Sequence, residues 1–173
     1  MPPTSRLRGR LWRMLAPKWA HQPLSGEGAA SRGGRFNPPG MKALYMSEDF
    51  VTAVAEYEQE LGIRPGTLCA YEVDMSGIVD LCDQATRLAA GVDLADLHCP
   101  WKHIALVLRE RPPSWDLATR LAQRGAAGIR VPSMRHPEGR NLVLWRWNDS
   151  PERRVEVLDP LGDLPRNRES GRD

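Results

Sequence analysis

The sequence predicts an α+β fold built on a mixed or antiparallel sheet. Strand-like and helix-like stretches are interspersed, but they do not follow a regular βαβ order. Apolar alternation of period two marks several short segments, and helical spacing marks others. The loops of the common nucleotide-binding α/β folds are missing. "SGEGAAS" lacks a third glycine in register, and no P-loop lysine–serine pair occurs. The length of 173 residues suffices for one domain with a core. We expect a single domain over residues 1–164.

The elements follow in order. "GRLWRML" reads as a first strand, with approximate alternation near Leu11 and Met14. The Gly/Pro/Ser-rich stretch from Ala16 to Gly40 reads as one long loop, and loops of that length are usually functional or disordered. "ALYM" is a short strand. Ser47 is expected to cap the next helix, with Glu48 and Asp49 in its first turn. Phe50, Val54, Tyr57 and Leu61 form its apolar stripe, and the helix should end by Gly62. "TLCAYEVDM" alternates like a strand buried on one face, and "GIVDLCD" is a second extended piece. Residues 84–109 look mostly helical, with breaks at Gly91 and Pro100. Ser114 should cap a helix over Trp115–Gln123, ended by Gly125. "AAGIRVPS" reads as a strand running into a turn, and "NLVLWRW" with "RRVEVLD" as a late antiparallel pair. The polar tail, residues 165–173, has nothing to bury and is expected to be disordered.

Charge and composition exclude several function classes. The net charge is +2, which does not indicate a strongly basic nucleic-acid surface. No apolar run has the length of a membrane span. The basic N-terminus lacks the apolar core of a secretory signal, so a cytoplasmic location is expected. The three cysteines, Cys69, Cys82 and Cys99, match no zinc spacing and read as thiols in a reducing compartment. His98 and His103 are five apart, a poor fit to a helical metal pair, and no metal is expected.

One stretch stands out, "SRGGRFNPPG" from Ser31 to Gly40. Gly33 and Gly34 are free to take angles that other residues avoid. Pro38 and Pro39 fix their own φ, and Pro38 biases Asn37 toward extended conformations. Arg35 thus sits between a hinge and a rod. Fixing its backbone lowers the entropy lost when the guanidinium grips an anion, and that fork matches phosphate or carboxylate.

With "LWRM", "LSGEGAASRGGRFNPPG", "ALYMS", "AVAEYE", "GIRVPS" and "NLVLW" in this order, the chain resembles the RES family from Trp12 to Trp145. Two departures are visible. Phe36 stands where many members carry tryptophan, and Trp145–Arg146 replaces the usual asparagine–proline after "NLVL". The resemblance implies a fold similar to mono-ADP-ribosyltransferases and the diphtheria-toxin group, with mixed sheets, flanking helices and a cleft between two small sheets. It implies a bacterial toxin that consumes NAD as substrate, with water, phosphate or a protein side chain as acceptor. It also implies a helix-turn-helix antitoxin covering the cleft. The family's arginine falls on Arg35, its tyrosine on Tyr45, its glutamate on Glu56 and its serine on Ser133. An arginine of the first strand falls on Arg13.

The chemistry suits these residue types. Breaking the nicotinamide–ribose bond builds positive charge on ribose, which a carboxylate stabilises. Guanidinium groups hold pyrophosphate, and an aromatic ring stacks on nicotinamide. Each residue also has an ordinary reading. Glu56 is one of three acids in "EYEQE", and only the resemblance selects it. Tyr45 suits core packing, Arg13 lies in an arginine-rich run, and a serine such as Ser133 usually closes its own turn. The loop glycines make turns or an anion nest. Trp101 and Trp115 suit the core, with Trp101 a candidate cleft wall, and Asn141 suits a strand cap. A non-catalytic nucleotide-binding module is the reading from another class.

Overall fold

The computed structural model describes residues 1–58 and 62–169. In chain order the strands are β1 (Ser5–Leu15), β2 (Leu44–Ser47), β3 (Thr67–Asp80), β4 (Gly128–Pro132), β5 (Arg140–Leu144) and β6 (Arg153–Val157). The helices are α1 (Glu27–Arg32), α2 (Phe50–Glu58), α3 (Gln84–Ala90), α4 (Leu94–Leu97) and α5 (Pro113–Gln123). The strands are ordered β1-β2-β5-β4-β3-β6, and β1 also pairs with β3. That extra pairing closes five strands into a barrel-like ring, with β6 attached outside it. The α+β class is borne out. The two small sheets expected are joined into this one ring.

β3 is the spine. "TLCAYEVDM" and "GIVDLCD", read as separate pieces, form one strand of 14 residues. Cys69, Tyr71, Val73 and Met75 point inward, while Glu72 is exposed. Gly77, at φ +83°, breaks the alternation, and Ile78 and Val79 are both buried beyond it. One edge of β3 pairs antiparallel with β1, from Leu15↔Thr67 to Ser5↔Ile78. The other edge takes β6 antiparallel along Tyr71–Met75 and β4 parallel along Ile78–Asp80. On the outer face Arg6 and Arg8 bond Asp74, and Arg10 bonds Glu72. Such exposed pairs contribute little individually but keep the strand face polar.

The late antiparallel pair is a correction. β5 pairs with β2 and β4, and β6 pairs with β3. The turn at Trp147–Ser150 sends the chain around to the far edge of the spine. There the Asn148 side chain bonds Val155 through both its carbonyl and its amide.

α3 and α5 pack against β3, β4 and β5 through one apolar cluster, and α2 lies against β1 and β2. α5 begins two residues earlier than expected, at Pro113 in the first helical position. Ser114 is buried inside the helix, not capping it, and accepts from the Cys99 thiol. Ser114, Leu117, Ala118 and Leu121 form the inward stripe. Burying a leucine such as Leu121 is worth about 1.5–3 kcal/mol. α3 is capped by Asp83, which accepts from the Thr86 N–H, and ends at Gly91 in the left-handed region. The broken helical stretch expected over residues 84–109 is α3, α4 and a π-turn at His103–Val107.

The long loop also holds structure. Pro17–Trp19 is a 3-10 turn and Glu27–Arg32 is α1. Six residues with Gly28 inside are too short and too polar to show helical periodicity in sequence. Ser47 belongs to β2. Asp49 caps α2, accepting from the Thr52 N–H at 2.7 Å. The predicted stripe is displaced: Phe50 is 53 % exposed against Trp12, while Thr52 and Ala53 face inward. Leu61 lies outside the described residues. Leu164, just before the tail, packs against the core, and in the tail the Arg168 guanidinium lies 5.8 Å from the Trp19 ring; residues 170–173 lie outside the described residues.

All three cysteines are free thiols, Cys69 and Cys99 buried and Cys82 half-buried. Among the described residues no helix is long and apolar enough to cross a membrane. No group of three or more metal-ligating side chains converges among them.

Candidate active site

The "SRGGRFNPPG" stretch is locked in place, and the hinge expected at Gly33–Gly34 is absent. Gly34 N–H donates to the Asn37 carbonyl at 2.9 Å, closing a tight hairpin. Asn37 is fully buried. Its amide donates to the Ala29 and Met41 carbonyls, and its Oδ1 accepts from the Tyr45 hydroxyl at 2.7 Å. The same hydroxyl accepts from the Phe36 N–H at 3.0 Å. Trp115 Nε1 donates to the Gly34 carbonyl at 2.6 Å, and Trp145 Nε1 to the Phe36 carbonyl at 2.9 Å. Both departures from the family pattern thus meet at one bond, Trp145 to Phe36. Glycine is required at 34 because a Cβ there would lie 2.6 Å from Tyr45 Oη.

This frame presents Arg35. Its Nη1 donates to the carbonyls of Leu97 (3.2 Å) and Cys99 (2.8 Å) at the end of α4. Burial lowers the Arg35 pKa, with the nearby Cys99 and Glu56 opposing the shift; arginine keeps its charge regardless. Tyr45 is raised above the usual phenol range by burial, so its hydroxyl stays protonated and serves as a strut under the loop.

Glu56 lies on α2 with its carboxylate held from the sheet side. Glu56 Oε1 accepts from Ser133 Oγ at 2.6 Å and from Asn141 Nδ2 at 2.7 Å. Asn141 is itself oriented by Ser47 Oγ, which donates to its Oδ1 at 2.7 Å. The register fixes this meeting, since Ser47 on β2 stands opposite Asn141 on β5. Ser133 Oγ in turn accepts from the N–H groups of Arg135 and His136, at 3.1 Å each. Both bonds to the carboxylate fall on the same oxygen, Oε1, and orient the group against the sheet.

Two cavities meet at this carboxylate. The larger, about 380 Å³, carries Arg35, Trp101, Lys102 and Arg135. The smaller, about 260 Å³, carries Trp12, Arg13, Tyr57 and Arg64. Tyr45, Glu56 and Asn141 line both and form the wall between them. Each cavity has more cationic side chains than acids, so each favours an anion near Glu56. Arg13 Nη1 donates to the Pro23 carbonyl at 3.4 Å, where Tyr71 Oη also donates. Burial lowers the Arg13 pKa, and Tyr71 partly offsets it.

All five predicted residues therefore cluster, but not in one compartment. Glu56 and Tyr45 stand at the junction, and Arg35 and Arg13 lie on opposite sides of it. Ser133 is 7 % exposed and lines neither cavity. Its hydroxyl is engaged with Glu56, which it orients. Asn141, read as a strand cap, lines both cavities and bonds Glu56. Its signal was a lone amide opening an apolar strand, which only the register with Ser47 and Glu56 makes legible. Trp101 does line the larger cavity, and Trp115 braces Gly34.

A family model for the RES domain matches residues 10–167. No curated protein matches significantly. Among solved structures, the crystal structure of the M. tuberculosis MbcT–MbcA toxin–antitoxin complex is similar, with TM-score 0.63 and 21% identity. The match covers 91% of this chain and 87% of the other. The two chains share one α+β fold. With a match spanning nearly the whole chain, the protein belongs to the RES domain family.

Proposed function

We propose that this protein is the toxin of a toxin–antitoxin pair and cleaves the nicotinamide–ribose bond of NAD, with water or phosphate as acceptor. The observation that carries the reading is the Glu56 carboxylate, fixed by Ser133 and Asn141 where two cationic cavities meet. The family membership and the toxin–antitoxin neighbour support it.

The chemistry follows from charge. As the C–N bond breaks, the bonding pair leaves with nicotinamide, which departs neutral. The positive charge moves to the ribose ring. Glu56, with Oε2 toward the sugar, stabilises that cation and holds a ribose hydroxyl. Arg35 and Arg13 hold the pyrophosphate, and the Tyr45 ring packs on the nicotinamide side. Water then adds at the ribose carbon and loses a proton, giving ADP-ribose. Phosphate adds in the same way to give ADP-ribose 1-phosphate. NAD enters as a substrate, and charge stabilisation is assigned to these side chains without a metal. A helix-turn-helix antitoxin would cover the cleft, and the three free thiols suit the reducing cytoplasm.

Product analysis of NAD incubated with and without phosphate tests the proposal. Free nicotinamide with ADP-ribose, or with its 1-phosphate, is the expected result. Label from NAD fixed on one protein band in lysate would replace it with protein ADP-ribosylation. Saturable binding without NAD loss would replace it with a non-catalytic module.

A further inference from the structure

We infer that Thr52 and His136, with Asp49, form a clamp that sets the position of Glu56; the inference rests on Glu56 being the working carboxylate. Thr52 is fully buried on α2, four residues before Glu56, so both side chains lie on one helix face. Thr52 Oγ1 donates to Asp49 Oδ2 at 2.7 Å and stands 2.9 Å from His136 Nδ1. A hydroxyl has one proton, and here Asp49 takes it. The imidazole must therefore donate, which assigns the Nδ1–H tautomer to His136.

The consequence is a two-point attachment. The turn after β4 holds α2 at Glu56 through Ser133 and again at Thr52 through His136. Those points are one helical turn apart, about 6 Å along the axis. One contact would leave the helix free to rotate, whereas two fix both its rotation and its height. The points are also coupled, because the His136 N–H donates to Ser133 Oγ. The space is filled: a Cβ at Gly139 would lie 2.3 Å from Thr52 Oγ1 and 3.0 Å from His136 Nδ1. Gly139 thus lets the chain pass over the clamp. None of the three clamp side chains lines either cavity, so they are positioning residues for Glu56.

The test pairs deletion with conservative rescue. His136→Ala removes the donor from a half-exposed site, and His136→Asn restores an N–H near the place of Nδ1. Thr52→Val and Thr52→Ser do the same from the helix side. We expect the deletions to lower kcat for NAD about tenfold, with KM within about twofold, since a displacement of an ångström costs up to about a hundredfold. The conservative changes, His136→Asn and Thr52→Ser, should keep kcat within about threefold of wild type, because each retains the hydrogen bond. Nitrogen NMR of the imidazole should show Nδ1–H in wild type, and the Glu56 carboxyl carbon should shift in Thr52→Val. A wild-type Nε2–H tautomer, or a folded His136→Ala protein with unchanged kcat, overturns the clamp. The NMR readouts do not need turnover. A wild-type protein that leaves NAD intact sinks the functional reading, and the tautomer and the Glu56 signal still decide the clamp.

Discussion

Replacing Gly34 by alanine puts a methyl group where the Tyr45 hydroxyl passes under the Arg35 loop. The new Cβ would lie 2.6 Å from Tyr45 Oη and 2.7 Å from Asn37 Oδ1. Ordinary contact needs about 3.4 Å, so the phenol or the loop has to retreat by about 0.8 Å. Asn37 has no room to yield, being fully buried and bonded to Ala29 and Met41. The retreat breaks the bonds from Tyr45 to Asn37 and from Phe36 N–H to Tyr45. Two net hydrogen bonds and an overpacked contact together cost about 2–4 kcal/mol. With a urea slope of about 2 kcal/mol/M, the midpoint should fall by about 1–2 M. Gly40→Ala is the control. Unlike Gly34, Gly40 has a positive φ, +88°, but it has open space around it, and the change should cost only about 1 kcal/mol. Because Arg35 follows Gly34 directly, Gly34→Ala should also raise KM for NAD. A Gly34→Ala protein within about 0.5 kcal/mol of wild type would refute the strut.

Other predictions concern the groups around the carboxylate. Ser133→Ala removes a hydrogen bond to an ionised group, worth about 1.5–3 kcal/mol, and should lower kcat about tenfold to a hundredfold; an unchanged kcat would rule out the orienting role. Arg35→Lys loses the planar fork and should raise KM for NAD about tenfold, more than it lowers kcat; a wild-type KM would remove Arg35 from the pyrophosphate site. Burial raises the pKa of Tyr45 and Tyr71, so folded protein holds their protons where unfolded chain loses them. Stability should therefore be level below about pH 10 and fall above it, and Tyr45→Phe should flatten that fall. Urea midpoints across the alkaline range check the slope, and an unchanged slope in Tyr45→Phe would contradict the burial of that phenol.

Arg35 was legible from short-range chemistry, whereas Glu56, Tyr45, Arg13 and Ser133 were legible only through the family resemblance. Arg35 announces itself between a glycine pair and a proline pair, and the structure shows that frame as a closed hairpin. What the dihedral rules missed is that the glycines answer a need for space beside Tyr45 of β2 and Trp115 of α5. The pairing of β6 with β3 was equally hidden, since adjacent apolar runs suggest a hairpin and only the long spine offers the far edge. Asn141 and Thr52 escaped for the same reason. Each is a small polar residue near an apolar run, and its role depends on a register that brings Ser47, Glu56 or His136 within hydrogen-bond reach. The stripe of α2 was displaced because its inward face carries Thr52 and Glu56, polar residues placed there for the site.

Glu56→Gln tests the central claim most directly. Glutamine keeps the shape of the side chain and an oxygen for Ser133 and Asn141, but removes the negative charge. NAD consumption, followed as nicotinamide release, should fall about a hundredfold to a thousandfold, with the urea midpoint near that of wild type. A folded Glu56→Gln protein that releases nicotinamide at the wild-type rate would contradict the account.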